Sequence, residues 1–204
     1  MDYKTPDNTA RFEQTIKKSR FIAISTHVPD RERFDQFLDR VSTEFPDARH
    51  ICYGGILGAP TTGQQLFNDD GEPSGTAGKP ILNVLLHSGY GDVATAVVRY
   101  FGGVKLGAGG LVRAYSGSAS GAVVQLSART VEQTTDLYLE VEFALENTIR
   151  HLLGESGVSQ LDARYEHNLQ IHCAVPAGQV VHLSERLTDV TRGKILIRIA
   201  DSDS

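Results

Sequence analysis

The chain has 204 residues, 40% of them hydrophobic and 22% charged, with a formal net charge of −5. This is ordinary globular composition, sufficient for one large or two small domains, and it excludes disordered, collagen-like and fibrous classes. No run approaches the roughly 18 apolar residues that span a bilayer, and the N-terminal MDYKTPDNTARF lacks the apolar stretch of a secretion signal, so a cytoplasmic location without a membrane partner is expected.

In chain order, RFEQTIKKSRFIAISTHV (residues 11–28) reads as a hairpin with a basic cluster at Lys17, Lys18 and Arg20. Pro29 and Asp30 open an amphipathic helix whose apolar stripe is Phe34, Phe37, Leu38, Val41 and Phe45. ICYGGIL, from Ile51, is a short apolar strand. A loop leads to NDDGEPSGTAGKP (residues 68–80) and ILNVLL, and ATAVVRYFGG then reads as a buried strand, rich in β-branched and aromatic residues. From Leu106 a segment rich in small residues places Leu111, Ala114, Tyr115, Ala119, Ala122 and Val123 on one helical face.

The composition then changes. Sixteen of the twenty glycines lie between Gly54 and Gly121, and residues 1–135 carry 14 Lys/Arg against 14 Asp/Glu, whereas 136–204 carry 6 against 11. A neutral glycine-rich part and an acidic glycine-poor part predict two domains, 1–130 and 136–204, joined near residues 127–136. In the second, LYLEVEF alternates as a strand with Leu137, Leu139, Val141 and Phe143 on one face. A helix over 146–155 carries Ile149, Leu152 and Leu153 and stops at Gly154 and Gly157. The strands VSQLDARYE and NLQIHCAV follow, turning at His167 and Asn168. A helix opened by Pro176 carries the stripe Val180, Val181, Leu183, Leu187 and Val190, Gly193 ends it, and KILIRIA is a last strand. The order β-α-β-β-α-β is the ferredoxin-like split βαβ arrangement.

The glycines invite comparison with phosphate signatures. A Walker loop needs glycine five residues before the Gly-Lys pair and Ser or Thr after it, but Gly78-Lys79 has Pro73 and Pro80 there. Gly89, Gly91 and Ala94 match a dinucleotide fingerprint by spacing, yet strand-like sequence follows and no acidic residue stands about 20 positions on. KLGAGGLVRA fits an anion better: Gly107, Gly109 and Gly110 open a helix after a strand, where backbone N–H groups and the helix dipole attract negative charge, beside Lys105 and Arg113. Close helix packing is the alternative use of these glycines.

Asp69, Asp70 and Glu72 are crowded into one loop. Such carboxylates either bind a hard cation or work as an acid/base pair, or they cap turns and the next helix. Ser74 and Thr76 are hydroxyls without a nucleophile elbow around them, and His50 is the best-placed histidine for a base. No histidine pair has helical metal-ligand spacing, and Cys52 and Cys173 are too few for a cysteine zinc site or a disulfide framework, so buried thiols and no metal or cofactor are expected.

DDGEPSGTAGKP (69–80) and VVRYFGGVKLGAGGLVRAYS (97–116), with DARH (47–50) upstream, resemble the IMPACT family in its bacterial, YigZ-like branch, and the likeness covers the whole chain. The resemblance implies an α+β protein of two domains. The first would have the fold of the second domain of ribosomal protein S-five, and the second the ferredoxin-like fold of the fifth domain of elongation factor G. It implies a non-enzymatic, translation-associated regulatory role with RNA or the ribosome as partner. Eukaryotic members are regarded as acting by protein binding through an added N-terminal domain, so their partner interaction is not expected to carry over to this sequence. Lys79 and Arg99 join Lys105, Gly107, Gly109, Gly110 and Arg113 as the motif's ligand- or anion-binding set, with His50, Asp69, Asp70, Glu72, Ser74 and Thr76 as a second motif surface. Two other functions are compatible with the residues: an enzyme acting on a phosphorylated small molecule or nucleotide, and an acidic second domain that binds a protein partner.

Overall fold

The computed structural model describes residues 2–158 and 160–200. The chain divides into two compact units, Tyr3–Val131 and the part from Glu132 onward, each mixing helices and strands. Ser159, within the strand expected to open at Val158, lies outside the described residues.

The first unit is built on a five-stranded antiparallel sheet. Its strands are β2 (Ala10–Ile16), β3 (Ser19–His27), β4 (His50–Leu57), β5 (Gln64–Asn68) and β6 (Val93–Tyr100), in the spatial order β2-β3-β6-β4-β5. Because side chains alternate along a strand, the sheet buries two faces. Ile22, Ile24, Ala96 and Val98 meet helix α1 (Arg31–Glu44) through Phe34, Phe37 and Val41. Phe21, Ala23, Cys52 and Val97 meet helices α2 (Gly78–Ser88) and α3 (Ala108–Val123). Each fully buried Phe or Leu here contributes about 1.5–3 kcal/mol relative to exposure.

Gly54 and Gly55 set the spacing of these layers. They lie side by side on β4 and so face opposite ways. A Cβ on Gly54 would lie 2.7 Å from Leu82 N of α2, and one on Gly55 would lie 2.5 Å from the Phe34 ring of α1. Either substitution forces a helix layer away from the sheet.

Helix α1 starts where expected, with Asp30 accepting a hydrogen bond from Arg33 N at 2.8 Å. All six residues of the predicted α3 stripe are buried. Strand β5, by contrast, was expected to be loop. It is a mostly exposed edge strand with one half-buried apolar residue, Leu66, and shows no alternation that would mark it. The stretch 127–136 is structured as well: Ala128–Val131 (β7) pairs antiparallel with Tyr3–Pro6 (β1).

The second unit runs β8 (Thr134–Val141), α4 (Glu146–Glu155), β9 (Gln160–Tyr165), β10 (Leu169–Pro176), α5 (Val180–Val190) and β11 (Leu196–Ile199). Its sheet is antiparallel in the order β11-β8-β10-β9, so the parallel pair β8 and β9 is split by β10. Leu137, Leu139 and Val141 enter its core with Ile149, Leu153, Leu183 and Leu187. Three expectations change. Phe143 leaves the strand for a single 3₁₀ turn and is exposed, Gly154 lies inside α4, and Val181 and Val190 point to solvent because the buried stripe of α5 is narrower than its apolar content.

Candidate functional site

Both glycine-rich motifs fall in the first unit, and they have different structures. The acidic loop turns inward. Asp69 accepts from Gly75 N (2.7 Å) with one oxygen, and from Ala77 N (2.9 Å) and Gly78 N (2.8 Å) with the other, closing the start of α2. Burial raises the pKa of this carboxyl, but the three N–H groups outweigh it and hold the group below the usual carboxylate range. Asp70, at φ +39°, accepts from Ile51 N (2.6 Å), and its carbonyl accepts from His50 Nδ1–H (2.7 Å). Thr76 is buried and donates to the Pro73 carbonyl. Ser74 is exposed.

Glu72 goes deepest. Its side chain, 4% exposed, forms an ion pair with Arg99 Nη1, itself 7% exposed, and accepts from Tyr115 Oη at 2.8 Å. Arg99 lies under the rings of Phe21 (5.4 Å) and Phe101 (5.6 Å), and its Nε has no partner among the described residues. Burial, followed by the neighbouring Cys52 and Glu72, raises the Tyr115 phenol, which keeps its proton for Glu72. Burial likewise pushes the Cys52 thiol up to about 12, so it is an unreactive thiol, donating to the Asp69 carbonyl at 2.9 Å. The structure thus removes Arg99 from the anion-binding set, because its charge is engaged with Glu72. The three carboxylates do not converge on a common point, each being committed to a different partner. Sequence reasoning placed Tyr115 on the buried face of α3 but missed its polar role. A lone tyrosine among Ala, Gly and Ser on such a face is the available signal, since its hydroxyl needs a partner when buried.

The second motif is open. Gly107, at φ +75°, precedes α3, and no side chain caps the first turn. Gly107, Ala108 and Gly109 are exposed. The Arg113 guanidinium reaches back over this turn, 3.9 Å from where a Gly109 Cβ would stand. The preceding loop carries exposed Phe101, Val104 and Lys105. That loop rests on the β2–β3 turn: Gly102 N donates to Ser19 Oγ at 3.2 Å, and a Cβ on Gly102 would lie 2.0 Å from Lys18 C. Lys17 and Lys18 form that turn at φ +46° and +67° and are exposed, with the Lys18 backbone against Gly102 in the loop that leads to α3.

Lys17, Lys18, Lys105 and Arg113 have no ion pair among the described residues, whereas Arg20 is held by Glu13 at 2.7 Å. Lys79, on the first turn of α2, faces the groove between α2 and α3 rather than the acidic loop's interior. Among the described residues no three His, Cys, Asp or Glu side chains are grouped as metal ligands, and no helix is long and apolar enough to cross a membrane.

A sheet layered by helices on both faces, followed by a split βαβ unit, defines a two-domain mixed α/β protein. Residues 17–123 match the Impact N-terminal domain, and residues 139–194 match a domain of unknown function, DUF1949. The chain belongs to the IMPACT family. It is 42% identical over 183 residues to the IMPACT family member YigZ of Escherichia coli, covering 89% of this chain and 90% of that one. A Haemophilus influenzae member is 34% identical over 201 residues, covering 98% of each. The crystal structure of a hypothetical protein superposes with a TM-score of 0.74 at 36% identity, over 99% of this chain and 98% of its own.

Proposed function

We propose that this protein is a non-enzymatic, translation-associated regulatory protein that contacts RNA, on or off the ribosome, through the entrance of α3. The observation that carries this reading is the asymmetry of charge around the two motifs. Every carboxylate of the acidic loop is engaged internally, while Lys105 and Arg113 flank an uncapped helix N-terminus and the exposed Lys17-Lys18 turn rests against Gly102 in the loop before it. Unpaired cations and free backbone N–H groups of this kind suit a phosphate backbone. Exposed Phe101 adds a ring on which a base can stack.

The Lys17-Lys18 turn supports the same reading. A two-residue turn with positive φ at both positions favours Asn-Gly, and retaining two lysines there costs stability that a charge requirement would justify. The resemblance of the sequence to a family whose domains are likened to ribosomal protein S-five and to the fifth domain of elongation factor G supports a setting on the ribosome and in the cytoplasm. The rival reading, an enzyme acting on phosphorylated compounds, loses its main support because Asp69, Asp70 and Glu72 already have separate structural partners.

Co-sedimentation with ribosomes and with free RNA at several salt concentrations tests the proposal. Binding should weaken linearly in log K against log salt, and Lys105→Ala with Arg113→Ala should reduce that slope by about 2. Absence of binding, or a slope indifferent to both substitutions, rejects it.

A further inference from the structure

Helices α2 and α3 leave between them an open groove of about 850 Å³ that the RNA contact does not use. Its apolar surface is aliphatic: Val84 from α2, then Val112, Val123 and Leu126 along and just beyond α3, with Val124 at the rim 80% exposed. Ser116 turns its hydroxyl back onto the Val112 carbonyl (2.8 Å), and Tyr90 donates to the Leu126 carbonyl (3.0 Å), so polar atoms on the walls are partly engaged within the protein. The charged and titratable lining groups are Lys4, Lys79, His87 and Tyr90, without a carboxylate. His87 Nδ1–H donates to the Asn83 carbonyl at 2.7 Å, which leaves Nε2 available.

We infer that this groove is a docking site for an acidic amphipathic helix of a partner protein. Three features select that occupant. Both long walls are helices, whose backbone groups are internally bonded, so they offer no strand edge to an extended peptide; a partner has to bring its own satisfied backbone, as a helix does. The aliphatic surface takes Leu- or Val-type anchors, whereas the groove presents no arginine and only Tyr90 and His87 as aromatic rings, so most of its surface offers no plane on which RNA bases stack. Lys4 and Lys79 without a countercharge favour carboxylates on the flank of the bound helix. The site gives Lys79, left outside the cationic entrance of α3, a place in an interface of its own.

The test uses the full chain with a photo-reactive phenylalanine analogue in place of Val124, cross-linked in its own cells, with the attached segment identified by mass spectrometry. The expected product is a protein segment with apolar residues at helical spacing and an excess of Asp and Glu. Its yield should fall about ten-fold with Lys79→Glu, as for loss and reversal of an interfacial charge, and stay unchanged with Lys105→Ala plus Arg113→Ala. Cross-linking to RNA, to a basic segment, or to a second copy of this chain overturns the inference, as does the absence of any adduct. RNA co-sedimentation by the Lys79→Glu protein separates the two proposals: retained RNA binding with a lost adduct supports the groove, whereas lost RNA binding with a retained adduct assigns Lys79 to the RNA contact and overturns the groove. All four altered residues, Lys79, Lys105, Arg113 and Val124, are exposed, and circular dichroism verifies that the variants fold.

Discussion

Helices α2 and α3 begin in similar glycine-rich sequence, GTAGKP and LGAGG, yet their N-termini are opposites. That of α2 is closed by Asp69, which takes the N–H groups of Ala77 and Gly78 and is anchored beside the buried Glu72–Arg99 pair. That of α3 has no side-chain cap and stands among unpaired cations. A helix N-terminus attracts negative charge in either case. Where the chain supplies the carboxylate itself, the terminus serves structure. Where it supplies cations instead, the attraction remains available to an outside anion. The conspicuous acidic motif is therefore the architectural one, and the blander motif is the exposed one.

Breaking the closed end should have the largest effect. Glu72→Gln leaves the Arg99 guanidinium buried without its counter-ion and should cost about 3–5 kcal/mol in urea unfolding. Glu72→Gln combined with Arg99→Met should recover most of that loss, since the amide still meets Tyr115 and no charge stays buried. A double variant no better than the single one would deny the pair this role.

Asp69→Ala should cost about 1–2 kcal/mol, as for removal of an N-cap. Its pH dependence has a definite sign. The folded pKa of Asp69 lies below the unfolded value near 3.9, so its contribution is complete above that value and is lost as pH falls through the folded pKa. The stability difference between wild type and Asp69→Asn should therefore shrink below about pH 4, measurable by thermal unfolding across an acid series.

At the open end, Lys105→Ala plus Arg113→Ala should change stability by no more than about 0.5 kcal/mol while weakening RNA binding, because both side chains are exposed and unpaired. A stability effect of the opposite sign should come from Lys17→Asn with Lys18→Gly. This pair relieves two left-handed residues and should gain up to about 1 kcal/mol, with weaker RNA binding. Loss of stability in that variant would show that the lysines serve the hairpin and not a ligand.

Much of this structure can be read locally. The helix after Asp30, the stripe of α3 and the β-α-β-β-α-β order of the second unit all follow from apolar period and from capping residues, which act over a few positions. The inward turn of the acidic loop does not. Glu72 finds Arg99 at 27 positions' separation and Tyr115 at 43, and nothing in DDGEPSG distinguishes a carboxylate aimed at the core from one aimed at solvent. Arg99 misleads for the same reason: in RYFGG it looks like a member of the cationic surface, but strand alternation puts it on the face with Phe21 and Val97. Lys105 and Arg113 are legible as exposed cations. Their neighbourhood with Lys17 and Lys18 depends on Gly102 meeting the β2–β3 turn, which only the folded sheet provides.

The separation of Glu72 from its partners also has a kinetic consequence. Strand β6 has to stand beside β3 and β4, and α3 has to lie across the sheet, before the carboxylate has anything to bind. The loop can therefore lock only late in folding, after the sheet has formed. Substitutions at Glu72 should accordingly accelerate unfolding far more than they slow refolding. The acidic motif would then determine how long the native state lasts and have little part in how fast it is reached.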